Sequence, residues 1–308
     1  MVGNKIVITT SSFGKEDPSP LELLREANID FQLNPYGRQV TGEELIGLAL
    51  NTEGLIAGTE AITEDVLQKL DKLKVISRCG SGTDNVDLLA AKRRGIKVFS
   101  TPDAPSRAVA ELTLGLILNC LRSISRFDRD LRNKNWKKSM GHLLQGKTVG
   151  LVGLGRIGKI VASLLLAFEA QVIAFDAFKV EAIKGVKMLP FGELVQAADI
   201  ITLHIPSNNK GSHFIDSEVI NSMKKGSYLI NTSRGDVVDE VALYEALKCG
   251  KLAGAGIDVY EKEPYNGRLL ELENVVLTPH VGSYAIESRI LMEKQAVENL
   301  LIGLGVKK

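Results

Sequence analysis

Midway along the chain, Lys147-Thr148-Val149-Gly150-Leu151-Val152-Gly153-Leu154-Gly155-Arg156-Ile157-Gly158 runs a short apolar strand into three glycines that open a helix. Gly153 permits the tight turn, Gly155 lets backbone approach a pyrophosphate, and Gly158 lets helix pack closely on strand. The phosphates are then expected at the helix N-terminus, beside Arg156 and Ile157, where unpaired N–H groups and the helix dipole favour anions. Glycine-rich turns alone are common, so the context carries the argument. A helix over 156–168 leads to a second strand, Gln171–Asp176. That strand ends in a carboxylate about 18 residues after Gly158, close to the spacing of a group that grips the adenosine ribose. Asp176 accepts from both ribose hydroxyls and repels a 2′-phosphate. No arginine follows in Ala177-Phe178-Lys179. NAD is therefore expected over NADP, with Lys179 the one nearby cation tempering that preference.

Composition narrows the setting. At 308 residues the chain is long enough for two domains. Hydrophobic residues make up 44% and charged residues 24%, as in a globular protein. Lys plus Arg total 38 against 37 for Asp plus Glu, which argues against nucleic acid or an acidic membrane surface as partner. The N-terminal Met1-Val2-Gly3-Asn4-Lys5-Ile6-Val7 enters a strand at once without signal-peptide architecture. No uncharged apolar run is long enough to span a bilayer; Ala162–Phe168 is the middle of an amphipathic helix. Cys79, Cys120 and Cys249 stand far apart with no zinc or redox spacing. No metal is expected, and free thiols in a reducing cytoplasm are.

Because the glycine turn begins so far into the chain, a complete module should precede it. Strand-like and helical stretches alternate there: Lys5–Thr10, Pro20–Ala27, Gly54–Gly58, Thr63–Leu70, Lys74–Cys79, Asp87–Arg94 and Lys97–Thr101. Such alternation implies parallel strands covered on both faces. From Ser106 to about Arg132 the apolar spacing predicts one long helix. After the turn, strands are predicted at Ile200–Ile205, Tyr228–Thr232, Ala255–Val259 and Val275–Thr278. Helices are predicted at Phe191–Ala198, Asp216–Lys224 and Asp239–Cys249. A final helix over Tyr284–Leu304 is expected to return to the first domain. The fold class is thus α/β, with two doubly wound parallel-sheet domains and a ligand cleft between them. The expected division is 1–100 plus 284–308 for the first domain and 101–283 for the second, with hinges near 99–105 and 281–285.

A nicotinamide enzyme working on an alcohol needs an acid/base, a cation for the substrate's charge, and a group tuning the base. Four histidines are available. His280, in Val275-Val276-Leu277-Thr278-Pro279-His280-Val281-Gly282-Ser283, stands at the carboxyl end of a strand, which faces the crevice in open α/β sheets. His204 also ends a strand, before Ile205-Pro206, and suits the cofactor crevice; His142 and His213 lie in polar stretches and are expected to be solvated. Arg234, in Asn231-Thr232-Ser233-Arg234-Gly235, can clamp a carboxylate with two parallel hydrogen bonds. In Asp258-Val259-Tyr260-Glu261-Lys262-Glu263-Pro264, Asp258, Glu261 and Glu263 all compete to orient the histidine and stabilise its charged form. Spacing does not choose among them.

This order of segments resembles the D-isomer-specific 2-hydroxyacid dehydrogenases, from about Gly54 to Leu301 and most strongly from Gly150 onward. The resemblance implies that Arg234 of the N-x-S-R-G segment binds the substrate carboxylate and polarises the keto oxygen. It implies that Glu263, directly before proline, is the partner of His280, and that His280 is the proton donor and acceptor. It implies cofactor contacts at His204, Pro206, Thr232, Ser233, Asp258 and Gly282, with Asp258 near the nicotinamide. In the first domain, Cys79-Gly80-Ser81-Gly82-Thr83-Asp84-Asn85-Val86-Asp87 resembles a carboxylate-gripping loop, with Ser81 and Gly82 as donors. Ala104–Leu112 and Asn135-Trp136-Lys137-Lys138 resemble the short-type phosphoglycerate-oxidising branch, without a C-terminal regulatory domain. In that branch the Trp136 segment crosses to a partner subunit and Lys138 reaches a substrate phosphate, so a homodimer is implied. One departure stands out: that branch carries an Arg-Ser pair where this chain reads Ile56-Ala57-Gly58-Thr59-Glu60. A phosphate normally recruits a guanidinium; Arg107 is the candidate substitute. Glyoxylate or hydroxypyruvate reduction is the alternative chemistry, and an NAD-sensing corepressor-like protein is the alternative from another class.

Overall fold

Residues 5–181, 183–207 and 213–306 are described in a computed structural model of the chain. The Met1–Asn4 stretch and the domain limits at residues 1 and 308 lie outside the described residues. The chain divides into two compact units, Met1–Pro105 with Ser283–Lys308, and Ser106–Gly282.

The first unit is built on β1 (Lys5–Ile8), β2 (Asp30–Leu33), β3 (Gly54–Ala57), β4 (Val75–Arg78) and β5 (Lys97–Phe99), in the order β2-β1-β3-β4-β5. Every pairing is parallel, so both faces need covering. Alternate side chains divide accordingly. Val7, Leu55 and Ile76 join one core with Leu45 and Ala49 of α2 (Gly42–Ala49) and Ala90 and Ala91 of α4 (Leu88–Arg93). Ile6, Ile8, Ile56 and Val75 join the other with Leu24 of α1 (Ser19–Glu26). That second core is completed from far along the chain, by Met292, Ala296, Val297, Leu300 and Leu301 of α11 (Ile286–Leu304). The Ser77 hydroxyl donates to the Ala296 carbonyl at 2.7 Å, fixing α11 on the sheet.

The second unit carries β6 (Thr148–Val152), β7 (Gln171–Phe175), β8 (Val186–Met188), β9 (Ile200–Leu203), β10 (Ser227–Asn231), β11 (Leu252–Ile257) and β12 (Val275–Leu277). Their order is β12-β11-β10-β9-β6-β7-β8, again all parallel. Strand order reverses between β6 and β9, and ligands bind beyond the carboxyl ends of strands at such a reversal. α5 (Ser106–Arg122) and α7 (Arg156–Ala167) pack together on this sheet.

The helix expected over Ser106–Arg132 is two helices, α5 and α6 (Ile124–Arg132), bent by 62°. Ser123 between them takes a left-handed conformation, φ 52°. The Asn119 side chain accepts the Ser125 N–H at 2.9 Å, capping the second helix. One residue out of register leaves the apolar spacing nearly intact, so periodicity reads straight through the break. Among the described strands and α-helices, β2, α2 and β8 have no counterpart in the sequence reading. β2 and β8 are short edge strands with little burial. The start of α2 is a capping box between Thr41 and Glu44, a local signal present in the sequence. Among the described residues, no single helix is long and apolar enough to cross a membrane.

Leu300 is fully buried on α11. Truncating Leu300→Ala should cost about 2–5 kcal/mol of stability, seen as a lower denaturant midpoint of the transition that reports the first unit.

Candidate active site

β6 hands the chain to Gly153 at φ 96°, whose N–H donates to the Phe175 carbonyl at 2.8 Å. A Cβ on Gly153 would lie 2.4 Å from the His204 carbonyl oxygen, and one on Gly158 would lie 2.2 Å from the Gly153 carbonyl oxygen. Both glycines are required by close backbone packing. Gly155 differs: it is exposed, and a Cβ there would meet nothing within 4 Å. It opens onto the first turn of α7, where Arg156 and Ile157 stand and the first N–H groups have no partner within the helix. Asp176, just past β7, accepts the Leu154 N–H at 2.8 Å and the Phe178 N–H at 2.9 Å. Its carboxylate is thereby fixed beside the glycine turn, and Lys179 is exposed nearby in sequence.

His204 follows β9. Its Nε2 meets the Thr202 hydroxyl at 3.1 Å, while its Nδ1 is buried without a hydrogen-bond partner. Burial pushes its pKa down to about 3, so the ring is neutral. The Thr232 hydroxyl bonds the Thr113 hydroxyl of α5 at 2.9 Å, and Ser233 is anchored on Asn231. An open glycine at a helix N-terminus, an immobilised carboxylate and an orphaned neutral imidazole all fit a dinucleotide. Pro206 is exposed just beyond His204.

At the ends of β11 and β12 the ionisable groups converge. Asp258 is 1% exposed, and its carboxylate accepts from the Thr278 hydroxyl at 2.6 Å and from the Val281 and Gly282 N–H groups at 2.9 Å each. Burial raises its pKa against the lowering effect of those three bonds and of the nearby His280 charge. The loop so held turns through His280 at φ 53°, a conformation that costs a non-glycine residue about 1–2 kcal/mol. His280 Nδ1 lies 2.8 Å from Glu263 Oε2, and Glu263 Oε1 accepts the Tyr260 N–H at 3.2 Å. Burial works against the Glu263 carboxylate, yet the His280 bond and charge, the Tyr260 N–H and the Arg234 charge together hold its pKa below the usual value. Glu263 thus stays ionised at neutral pH and loses its charge only as pH falls through that lowered pKa.

Of the three competing carboxylates, Glu263 is the one that reaches His280. Asp258 is committed to the loop. Glu261 instead pairs with His213 at 3.0 Å, which corrects the expectation that His213 is simply solvated. His142 is exposed. Arg234, at the end of β10, is partly buried, with Nη1 donating to the Ser233 carbonyl at 2.7 Å. A Cβ on Gly235 would lie 1.9 Å from the Tyr260 carbonyl, so the Arg234 turn lies directly on the backbone of Tyr260. Sequence reasoning gave Tyr260 and Thr278 no role; both stood inside quoted segments, without a distance to connect them. Among the described residues, no group of three His, Cys, Asp or Glu side chains is placed to hold a metal.

In the first unit, Ser81 and Gly82 follow β4 in a loop anchored by Asn85, whose Nδ2 donates to the Glu60 carbonyl at 2.6 Å and the Gly58 carbonyl at 3.3 Å. Glu60 is 2% exposed; its carboxyl takes the Gly58 N–H at 3.0 Å and the Thr9 hydroxyl. Lys138 stands on an exposed stretch after α6.

A doubly wound sheet with a nucleotide-binding turn and a carboxylate–imidazole pair at its carboxyl edge defines a nicotinamide-dependent oxidoreductase. Residues 114–282 match the family model for the NAD-binding domain of D-isomer-specific 2-hydroxyacid dehydrogenases. The hydroxypyruvate reductase of Thermotoga maritima is 40% identical over 282 residues, covering 89% of this chain and 92% of the relative. The D-3-phosphoglycerate dehydrogenase of Methanocaldococcus jannaschii is 43% identical over 259 residues; the match covers 81% of this chain but only 49% of that longer protein. The crystal structure of the TT0316 protein from Thermus thermophilus superposes with a TM-score of 0.91 at 37% identity, covering 99% of this chain and 98% of that one. The chain belongs to the D-isomer-specific 2-hydroxyacid dehydrogenases, NAD-dependent oxidoreductases acting on CH–OH groups.

The glycines separate packing from binding. Gly155→Val should leave the melting temperature near that of the parent while weakening NADH binding about tenfold or more, or about 1.4 kcal/mol. Gly158→Ala should lower both. An NADH fluorescence titration alongside thermal unfolding distinguishes the two.

Proposed function

We propose that this protein reversibly interconverts a small D-2-hydroxy acid and its 2-oxo acid, with His280 as acid/base. The observation that carries this is the 2.8 Å contact between His280 Nδ1 and an ionised Glu263. With Nδ1–H held by the carboxylate, Nε2 is the atom left to take the hydroxyl proton during oxidation or return it during reduction. Glu263 fixes the tautomer and stabilises the imidazolium that forms. Arg234 clamps the substrate carboxylate and polarises the keto oxygen, which positions C2. Ser81 and Gly82 offer backbone N–H groups as further carboxylate donors. NAD, when bound, accepts or supplies the hydride of C2. Gly153, Gly155, Arg156, Ile157 and Gly158 hold its pyrophosphate, and Asp176 its ribose. His204, Pro206, Thr232, Ser233, Asp258 and Gly282 border the rest of the cofactor.

Hydroxypyruvate or glyoxylate is the oxo acid we favour. The segment Ile56–Glu60 carries no guanidinium where the phosphoglycerate-oxidising branch has its Arg-Ser pair, and the Glu60 carboxyl there is buried on the Gly58 N–H and the Thr9 hydroxyl. The near full-length match to a hydroxypyruvate reductase supports the same choice. D-3-phosphoglycerate, and with it serine biosynthesis, is the second reading, supported by the 43% identity to a phosphoglycerate dehydrogenase and by the exposed Lys138. The free thiols of Cys79, Cys120 and Cys249 suit a cytoplasmic setting. Ile124, Leu131, Trp136, Met140 and Leu143 are all exposed, with Trp136 at 77%; a second copy of the chain is the partner we propose for them.

NADH consumption against hydroxypyruvate, glyoxylate, pyruvate and 3-phosphohydroxypyruvate tests the reading. Turnover should be fastest with one of the first two, and His280→Ala should lower it about 10²–10⁴-fold without weakening NADH binding. No turnover despite tight NADH binding would favour a sensor, and wild-type rates in the variant would remove His280 from the chemistry. Sedimentation velocity should show a dimer that Trp136→Glu converts to monomer; a monomeric parent would contradict the pairing.

A further inference from the structure

Tyr260 touches the segments that carry Arg234, Glu263 and His280, and the proposed chemistry gives it no task. Its backbone carbonyl lies against Gly235, directly after Arg234. Its N–H donates to Glu263 Oε1 at 3.2 Å. Its phenol hydroxyl lies 2.9 Å from the Thr278 carbonyl oxygen and 3.2 Å from that of Ile257. The same Thr278 carbonyl accepts the His280 N–H at 3.0 Å. The ring is 8% exposed and stacked on Tyr265, with centroids 4.2 Å apart and planes 20° apart. Burial, together with the neighbouring Asp258, Tyr265 and Glu263 charges, pushes the phenol pKa up, so the hydroxyl remains a donor across the working range.

We propose that Tyr260 is a positioning residue for the acid/base, its hydroxyl holding the Thr278 carbonyl so that the His280 imidazole stays aligned on Glu263. The physical reason is the loop's conformation. His280 sits in the left-handed region, which persists only where neighbours over-determine it. Asp258 secures that loop through the Thr278 hydroxyl and the Val281 and Gly282 N–H groups. The peptide unit that leads into Pro279 and His280 is held on its carbonyl side by Tyr260. Without the hydroxyl, the turn before His280 gains freedom, the imidazole drifts relative to its carboxylate, and proton transfer slows. Substrate and cofactor contacts elsewhere are unaffected. Placement errors of about 1 Å at a reacting group cost up to about 10²-fold in rate.

This inference rests on the dehydrogenase reading, and the experiment separates the two. Tyr260→Phe keeps the ring, its stack and the backbone bonds, and removes only the hydroxyl. With the fastest oxo acid of the panel, kcat should fall about tenfold, a loss in the range expected for one hydrogen bond. KM for the oxo acid and Kd for NADH should each stay within about twofold, and Tm should fall by no more than about 4 °C. The solvent deuterium isotope effect on kcat should rise, because proton transfer becomes more rate-limiting. In a His280→Ala background, adding Tyr260→Phe should change nothing further, because the hydroxyl acts through the imidazole. An unchanged kcat, an equal loss in the His280→Ala background, or a rise in KM and Kd with kcat preserved would each overturn the proposal while leaving the dehydrogenase reading in place. Absent turnover by the wild-type protein overturns both.

Discussion

The buried carboxylate of Asp258 is the constraint on which the candidate active site depends. It collects three hydrogen bonds from a loop more than a strand away in sequence, and it does so at the edge of a sheet whose strands all run the same way. A carboxylate this deeply buried is costly unless its oxygens are satisfied. Here the satisfaction and the architecture are the same set of bonds. They fix Thr278 and Gly282 on either side of His280, so a residue in an unfavoured backbone conformation is held by flanking contacts. The proposed acid/base pair then needs little of its own. Glu263 and His280 are both substantially exposed, and their alignment comes from what lies beneath them.

Much of this was legible in the sequence, for reasons that differ by element. The glycine turn is readable because steric exclusion acts locally: Gly153 and Gly158 have backbone oxygens where a Cβ would go, and no other residue fits. The parallel strands are readable because burial on both faces leaves unbroken apolar runs, such as Gly54–Ala57. The end of α5 was hidden because the break is one left-handed residue, Ser123, followed by a helix whose start Asn119 caps, superposed on an apolar pattern that continues. β2 escaped because an edge strand half in water needs no apolar run. The carboxylates after β11 show the limit most plainly. Asp258, Glu261 and Glu263 are equivalent by spacing, and what separates them is contact with Thr278, His213 and His280 respectively. Those partners lie too far along the chain for periodicity to report them.

Charge near the first unit's strand ends is the feature that sequence and fold weigh differently. Segment resemblance alone draws attention to Lys138 and to a phosphorylated substrate. The folded chain gives Glu60 a buried place among Thr9, Gly58 and Asn85, and it leaves Lys138 on an exposed stretch.

The placement of α11 bears on how the molecule is made. The first unit's sheet is synthesised before residue 100, but one of its two cores stays open until Met292 to Leu301 arrive. All of Ser106–Gly282 must leave the ribosome in between, enough to form a complete sheet of its own. The earliest-made half of the protein is therefore the last to finish folding. Until then Ile6, Ile8 and Ile56 have only the α1 side of their core, and the part that α11 will cover is open to chaperones and to aggregation.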